Sequence, residues 1–125
     1  MPTTTSELVN VCPRFHRAVE LIGRRWTGAI LSSMLLGTTR FTDIVHSVPG
    51  LSDRLLSERL KELECQGIVA RKVHAETPVR IEYTMTAKGL ALADVISAIG
   101  GWAEQWDDAA CQNHHLESNH ELSAV

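Results

Sequence analysis

Cys12 is the first residue whose chemistry stands out, because it immediately precedes a predicted helix. Pro13 suits the first helical position, which makes Cys12 the expected N-cap. The positive end of the helix dipole and the cation Arg14 both favour the thiolate, the reactive form of cysteine. Two interpretations remain open: Cys12 senses oxidants or electrophiles, or it serves only as a small capping residue. Cys65 is a weaker candidate, since it lies where a helix is expected to end.

A second group of chemically useful side chains lies on one face of a predicted helix at about residues 53–66. Leucines at helical spacing form its inward stripe: Leu56, Leu60 and Leu63. Polar residues occupy the opposite face: Arg54, Ser57, Glu58, Lys61 and Cys65. Arginine and lysine bind phosphates or guanine edges, and a short serine lets the backbone approach DNA. The alternative interpretation is an ordinary solvated helix face.

The C-terminal region contains a third candidate group, made of Cys111, His114, His115 and His120. The Cys-x-x-His-His spacing resembles a set of metal ligands. A second ligand pair at zinc-finger distance is missing, and short histidine-rich tracts bind metals adventitiously. We therefore predict no functional metal site and no cofactor. Cys111 remains a candidate resolving partner for Cys12.

The elements that must position these residues follow from hydrophobic periodicity and from glycine and proline punctuation. Helices are predicted at about residues 13–22, 26–36, 40–47, 53–66 and 87–106, and strands at 68–74 and 79–85. The turn Val48-Pro49-Gly50 separates the third and fourth helices. Ser52 and Thr86 are predicted N-caps.

This order predicts a mainly α fold with a small β-hairpin wing (α+β), a winged helix-turn-helix. Such a fold places the fourth helix in the DNA major groove. The hairpin carries Arg71, Lys72 and Arg80, enough positive charge for a wing beside an adjacent groove. We divide the chain into an N-terminal arm (1–11), a winged-helix DNA-binding and dimerisation domain (12–106) and a mobile, polar, acidic tail (107–125).

Composition is compatible with this interpretation. The 125 residues are 44% hydrophobic and 22% charged, as in a soluble globular domain. The net charge is −3, but residues 107–125 contain four acids and no lysine or arginine, which leaves residues 1–106 at +1. The longest charge-free run, 26–39, is shorter than the roughly 20 residues of a membrane helix. Three cysteines and no secretory signal favour a reduced, cytoplasmic location.

The chain resembles the HxlR family of bacterial winged-helix transcriptional regulators, relatives of the MarR group. The resemblance covers roughly residues 11–106. It is carried by Cys12-Pro13, Gly23, Trp26, Ile30-Leu31, Arg40-Phe41, Leu51-Ser52, Leu56, Arg59-Leu60-Lys61-Glu62-Leu63-Glu64, Gly67, Arg71, Pro78, Glu82-Tyr83, Thr86, Gly89 and Trp102. It implies a homodimer, formed through the first and last helices, that binds operator DNA. It also implies that a cysteine at position 12 can sense oxidants, quinones or aldehydes.

These observations together predict a DNA-binding regulator, more readily a repressor than an activator, on an operator with an inverted repeat. The predicted DNA contacts are Arg40, Thr42, Ser52, Arg54, Ser57, Arg59, Lys61 and Arg80, with Arg59 reaching the flanking backbone and Arg80 serving the wing. No motif for an enzyme is found. The alternatives are a winged-helix regulator that responds to a small ligand or a metal, and a protein-interaction module without DNA binding.

Overall fold

The computed structural model describes residues 11–107, which form six helices and one two-stranded antiparallel sheet within that range. In chain order they are α1 (Pro13–Ile22), α2 (Thr27–Leu35), α3 (Phe41–Ser47), α4 (Asp53–Cys65), β1 (Val69–His74), β2 (Arg80–Met85), α5 (Ala87–Leu90) and α6 (Ala93–Trp106). The predicted fold class, a winged helix-turn-helix, is confirmed. None of the described helices is both long and apolar enough to span a membrane.

The chain divides into two compact units at the junction between Ala91 and Leu92. This junction falls inside the predicted 12–106 domain. The predicted arm and tail lie outside the described residues, apart from Val11 and Asp107. The first unit contains every described element from α1 to α5, and the second contains α6.

The core of the first unit is built around α2. Thr27, Ile30, Leu31 and Met34 are buried, as expected for a helix that is apolar nearly all round. Trp26 precedes the helix with a φ of 77°, a left-handed conformation that turns the chain sharply between α1 and α2. The helix therefore begins one residue later than predicted.

The helix-turn-helix is formed by α3, the turn at 48–52 and α4. Ile44 of α3 packs into the same core as the leucine stripe of α4, Leu56, Leu60 and Leu63, all at most 1% exposed. Full burial of such a side chain stabilises a fold by about 1.5–3 kcal/mol. Gly50 has a φ of +87°, which suits glycine in this turn. The stripe predicted from periodicity is confirmed.

The hairpin pairs Val69 with Met85 at its base and His74 with Arg80 at its tip. On its other edge β2 receives a contact from the loop before α3. The backbone N–H of Tyr83 donates to the carbonyl oxygen of Thr39, 2.8 Å away. The wing is therefore tied to the segment that leads into the helix-turn-helix.

The prediction of one long helix at 87–106 is wrong. Thr86 caps α5 as expected, its Oγ1 accepting from the backbone N–H of Gly89 at 3.1 Å. The regular helix then stops, because Ala91 and Leu92 have ψ angles of −15° and −8°, closer to a turn than to an α-helix. A new helix, α6, begins at Ala93. Sequence periodicity continues across the interruption, so the pattern alone does not reveal it.

Candidate nucleic-acid interface and thiol site

The solvent-facing side of α4 carries the residues best suited to contact DNA. Arg54 is 87% exposed and its Nε lies 3.5 Å from Oε1 of Glu58, one turn along the helix. Lys61 is exposed on the same helix, and Ser57 is half-buried. An exposed i, i+4 pair of this kind contributes little to stability, so Arg54 is free to exchange Glu58 for another acceptor.

The remaining candidates near this face have different surroundings. Ser52 caps α4, its Oγ accepting from the backbone N–H of Leu55 at 3.1 Å. This bond satisfies one of the free amides at the helix N-terminus. Arg40 and Thr42 are exposed at the start of α3. The structure thus leaves Arg40, Thr42, Arg54 and Lys61 accessible, and it gives Ser52 a structural role.

Arg59 is largely buried, unlike the other cations of α4. Its side chain is only 10% exposed, and its Nε donates to the carbonyl oxygen of Arg25 at 2.9 Å. It therefore ties α4 to the turn before α2, and its contact with the flanking DNA backbone stays a prediction. The residue lies beside the leucine stripe of α4, and its contact with Arg25 is a tertiary one that local spacing does not reveal.

The wing holds a polar cluster that sequence reasoning missed. Oε2 of Glu82 accepts from Thr39 at 3.1 Å, and Oε1 of Glu82 lies 2.7 Å from His74 Nε2. Arg80 approaches the same carboxylate at 3.6 Å and donates to Glu76 at 3.1 Å. The partners come from two strands and from a loop 43 residues away. From the sequence, only the register of the hairpin could have indicated that His74, Arg80 and Glu82 are close together. It gives no information about Thr39.

This cluster determines which charges the wing can offer. The hydrogen bond from Thr39, followed by the positive charge of Arg80 and the contact with His74, holds the pKa of Glu82 below its ordinary value. Arg80 contacts two carboxylates, those of Glu76 and Glu82, so its positive charge is partly compensated within the wing. Arg71 and Lys72 are exposed on β1, so they are more accessible to a phosphate than Arg80 is.

Cys12 occupies the N-cap position of α1, as predicted, and the structure shows that it is exposed. Its thiol makes no capping hydrogen bond of standard geometry. The backbone N–H groups of Phe15 and Arg14 nevertheless lower the pKa of Cys12 below its ordinary value, with a smaller contribution from the Arg14 side chain. Cys65 is also a free, exposed thiol. Cys111 and the histidines at 114, 115 and 120 lie outside the described residues.

Within residues 11–107 no group of three or more histidine, cysteine or acidic side chains is arranged to hold a metal ion. The site is therefore described by a cationic helix face, a charged wing and an exposed thiol. A helix-turn-helix followed by a hairpin, with cations on the second helix, defines the class of winged-helix nucleic-acid-binding proteins.

Comparison with known proteins assigns the family. The family described as HxlR-like helix-turn-helix matches residues 21–111, and the chain belongs to it. The HTH-type transcriptional regulator YvaP of Bacillus subtilis is 51% identical over 98 residues, covering 78% of this chain and 91% of YvaP. YodB of the same organism, also an HTH-type transcriptional regulator, is 42% identical over 105 residues, covering 82% of this chain and 94% of YodB.

Solved structures agree. The reduced form of YodB superposes with a TM-score of 0.70 at 43% identity, over 78% of this chain and 96% of that one. YodB has also been solved after diamide treatment and with a bound quinone. The reduced form of the redox regulator HypR gives a TM-score of 0.73 at 29% identity, over 79% of this chain and 98% of that one. The protein is a DNA-binding transcriptional regulator.

Proposed function

We propose that this protein is a repressor that binds, as a homodimer in the bacterial cytoplasm, an operator with an inverted repeat, and that modification of Cys12 changes its operator affinity. The observation that carries the thiol part is the position of Cys12, exposed at the N-terminus of α1 with a lowered pKa. The DNA part is supported by the accessible cations of α4.

Two described helices supply the argument for a dimer. On α1, Phe15 is 62% exposed and Val19 is 50% exposed. On α6, Trp102 and Trp106 are 68% and 66% exposed. Apolar surface of this extent marks each helix, taken by itself, as an interaction surface. A two-fold dimer covers both surfaces and presents two copies of α4 to half-sites about 34 Å apart, or a multiple of that distance.

Sedimentation of the full chain at micromolar concentration tests the assembly. We expect a dimer for the wild type and a monomer for Phe15→Glu or Trp102→Glu. Leu36→Glu is the matched control, because Leu36 is 89% exposed but belongs to neither helix. A monomeric wild type, or a recovered operator without dyad symmetry, contradicts the proposal.

The chemistry proposed for Cys12 needs a thiolate and an electrophile, and with diamide it also needs a second thiol. With a quinone, the sulfur adds to a ring carbon, the C=C π bond breaks and its electron pair shifts to a ring oxygen. That oxygen takes a proton from water, and transfer of the ring C–H proton to the second oxygen completes the hydroquinone thioether. With diamide, two thiols form a disulfide, and their two electrons and two protons reduce the nitrogen–nitrogen double bond. The diamide-treated and quinone-bound forms of YodB support the choice of these reagents.

The deciding experiment recovers genomic fragments bound by the purified protein and measures their affinity before and after diamide or a quinone. We expect wild type and Cys65→Ser to change affinity and Cys12→Ser to remain unchanged. If the DNA affinity of wild type and that of Cys12→Ser change equally, Cys12 is not the sensor. A change of affinity only with a metal or a neutral ligand, and not with diamide or a quinone, would contradict the thiol proposal.

A further inference from the structure

A basic cleft of about 660 Å³ lies in the first unit, between α1, the end of α4 and the start of α5. Its charged lining consists of four cations, Arg14, Arg17, Arg24 and Lys88, and two acids, Glu20 and Glu62. None of these residues was among the predicted DNA contacts. The cleft is therefore a charged surface that the proposed DNA interface does not use.

The positive charge of this cleft is only partly compensated. Arg24 pairs with Glu62 at 2.9 Å, which removes one cation and one acid. Glu20 lies 3.0 Å from His16. Lys88 donates to the carbonyl oxygen of Gln66 at 2.6 Å, and a neutral acceptor leaves its charge intact. The remaining positive charges, those of Arg14, Arg17 and Lys88, therefore exceed the negative charge of Glu20, and the cleft attracts anions.

Arg14 connects the cleft to Cys12. It lines the cleft, and it is two residues from the thiol, so at most about 7.6 Å separates the two Cα atoms. Arg17 follows one turn along α1 and faces the same cleft. Cys12 itself does not line the cleft, but the Arg14 side chain does and also interacts with the Cys12 thiol, so a carboxylate attracted to Arg14 lies near the sulfur.

We propose that this cleft gives Cys12 a preference for negatively charged disulfides, whose carboxylates it attracts while the thiolate reacts. The Cys12 thiolate attacks one sulfur, the new S–S bond forms as the old one breaks, and the other half leaves as a thiolate with the electron pair. This inference rests on the proposed role of Cys12 as the reactive thiol. It names the class of molecule to which that thiol responds.

The test measures thiol modification directly, with no DNA present, so that its failure is separate from failure of the regulatory proposal. The protein is the full chain with Cys65→Ser and Cys111→Ser, which leaves Cys12 as the reacting thiol. The probes are dianionic dithiobis(nitrobenzoate), neutral dithiodipyridine and dicationic cystamine. Each second-order rate constant is divided by that of a short peptide containing Val11 to His16.

We expect the normalised rate constants to fall from the anionic to the neutral to the cationic disulfide. Arg17→Gln should slow the anionic probe about threefold, the effect of one unit charge about 7 Å away in a water-like dielectric. It should leave the neutral probe unchanged, because the groups that lower the Cys12 pKa are Phe15 and Arg14, not Arg17. Arg17→Lys should retain the wild-type rate, and added salt should reduce the preference.

A second control is the protein whose one cysteine is Cys65, made by Cys12→Ser and Cys111→Ser. Cys65 is exposed and adjoins the cleft-lining Gln66, whereas Cys12 interacts with the cleft cation Arg14, so Arg17→Gln should change the Cys65 rate constants less than those of Cys12. Equal normalised rates for the three probes, or an equal effect of Arg17→Gln on all of them, overturn the inference. Weaker operator binding by unmodified Arg17→Gln would identify the cleft as a DNA contact and overturn it too.

Discussion

The Nε of Arg59 donates a hydrogen bond to the carbonyl oxygen of Arg25, 2.9 Å away, and this bond joins α4 to the turn before α2. Trp26, the next residue, has a φ of 77°, so the carbonyl belongs to a segment whose conformation is already constrained. Two arginines of one helix thus have opposite surroundings, because Arg54 is 87% exposed and Arg59 only 10%.

Replacing Arg59 should therefore destabilise the fold. Arg59→Met keeps most of the side-chain volume but removes the donor to Arg25, and we expect a loss of about 1–3 kcal/mol in the free energy of unfolding. Arg54→Met on the same helix is the matched control and should leave stability unchanged. Urea unfolding of the three proteins makes the comparison. Equal stability of all three would show that the Arg25 bond contributes nothing.

DNA binding should depend on the other arginine. Arg54→Ala should weaken operator binding by about 1–3 kcal/mol if the guanidinium reads a base, with little effect on random DNA. Lys61→Ala should weaken binding to the operator and to random DNA alike. The slope of log affinity against log salt concentration should decrease by about one. Titrations at several salt concentrations distinguish the two patterns. Unchanged operator affinity in the double variant would exclude α4 as the recognition helix.

The wing should lose stabilisation in acid through Glu82. The pKa of this carboxyl is lowered in the folded state, so its contribution is present above the ordinary value of 4.5 and is lost as the pH falls through the folded pKa. Glu82→Gln should be less stable than wild type at pH 7, and the difference should shrink as Glu82 becomes protonated. Urea midpoints at about pH 7 and about pH 3 test this. A difference independent of pH would contradict it.

Gly89 should tolerate no side chain. A Cβ at this position would overlap the carbonyl oxygen of Ile68, a backbone atom that cannot rotate away. We expect Gly89→Ala to destabilise the fold by about 2 kcal/mol or more. Gly28→Ala is the control, because open space surrounds its Cβ position in α2. That variant should be neutral or stabilising by up to about 1 kcal/mol in thermal unfolding.

Local patterns predicted most of the fold, because amphipathic periods and caps are properties of neighbouring residues. The leucine stripe of α4, the Ser52 cap and the hairpin could all be predicted in this way. The interruption at Ala91 and Leu92 could not, since apolar spacing is the same on both sides of it.

The same distinction between local sequence and tertiary contacts applies to the candidate site. The N-cap position of Cys12 follows from its place before Pro13, whereas its exposure is known only from the structure. The burial of Arg59 depends on a carbonyl 34 residues away. The Glu82 cluster depends on Thr39, 43 residues away. Contacts over such separations are set by tertiary packing, and a residue's type and local spacing do not specify them.

The attachment of β2 to Thr39 has a consequence for operator architecture. Thr39 accepts from the backbone of Tyr83 and donates to the side chain of Glu82, so the wing and the segment leading into α3 are joined twice. Each subunit should therefore cover a footprint of constant length, whatever the state of its thiol. In the proposed dimer, what can still change is the helical phase, meaning the rotational offset of the two footprints around the DNA axis. Inserting base pairs between the half-sites should then imitate the inducer by changing this phase, whereas changing bases inside a half-site should weaken binding and leave the phase unchanged.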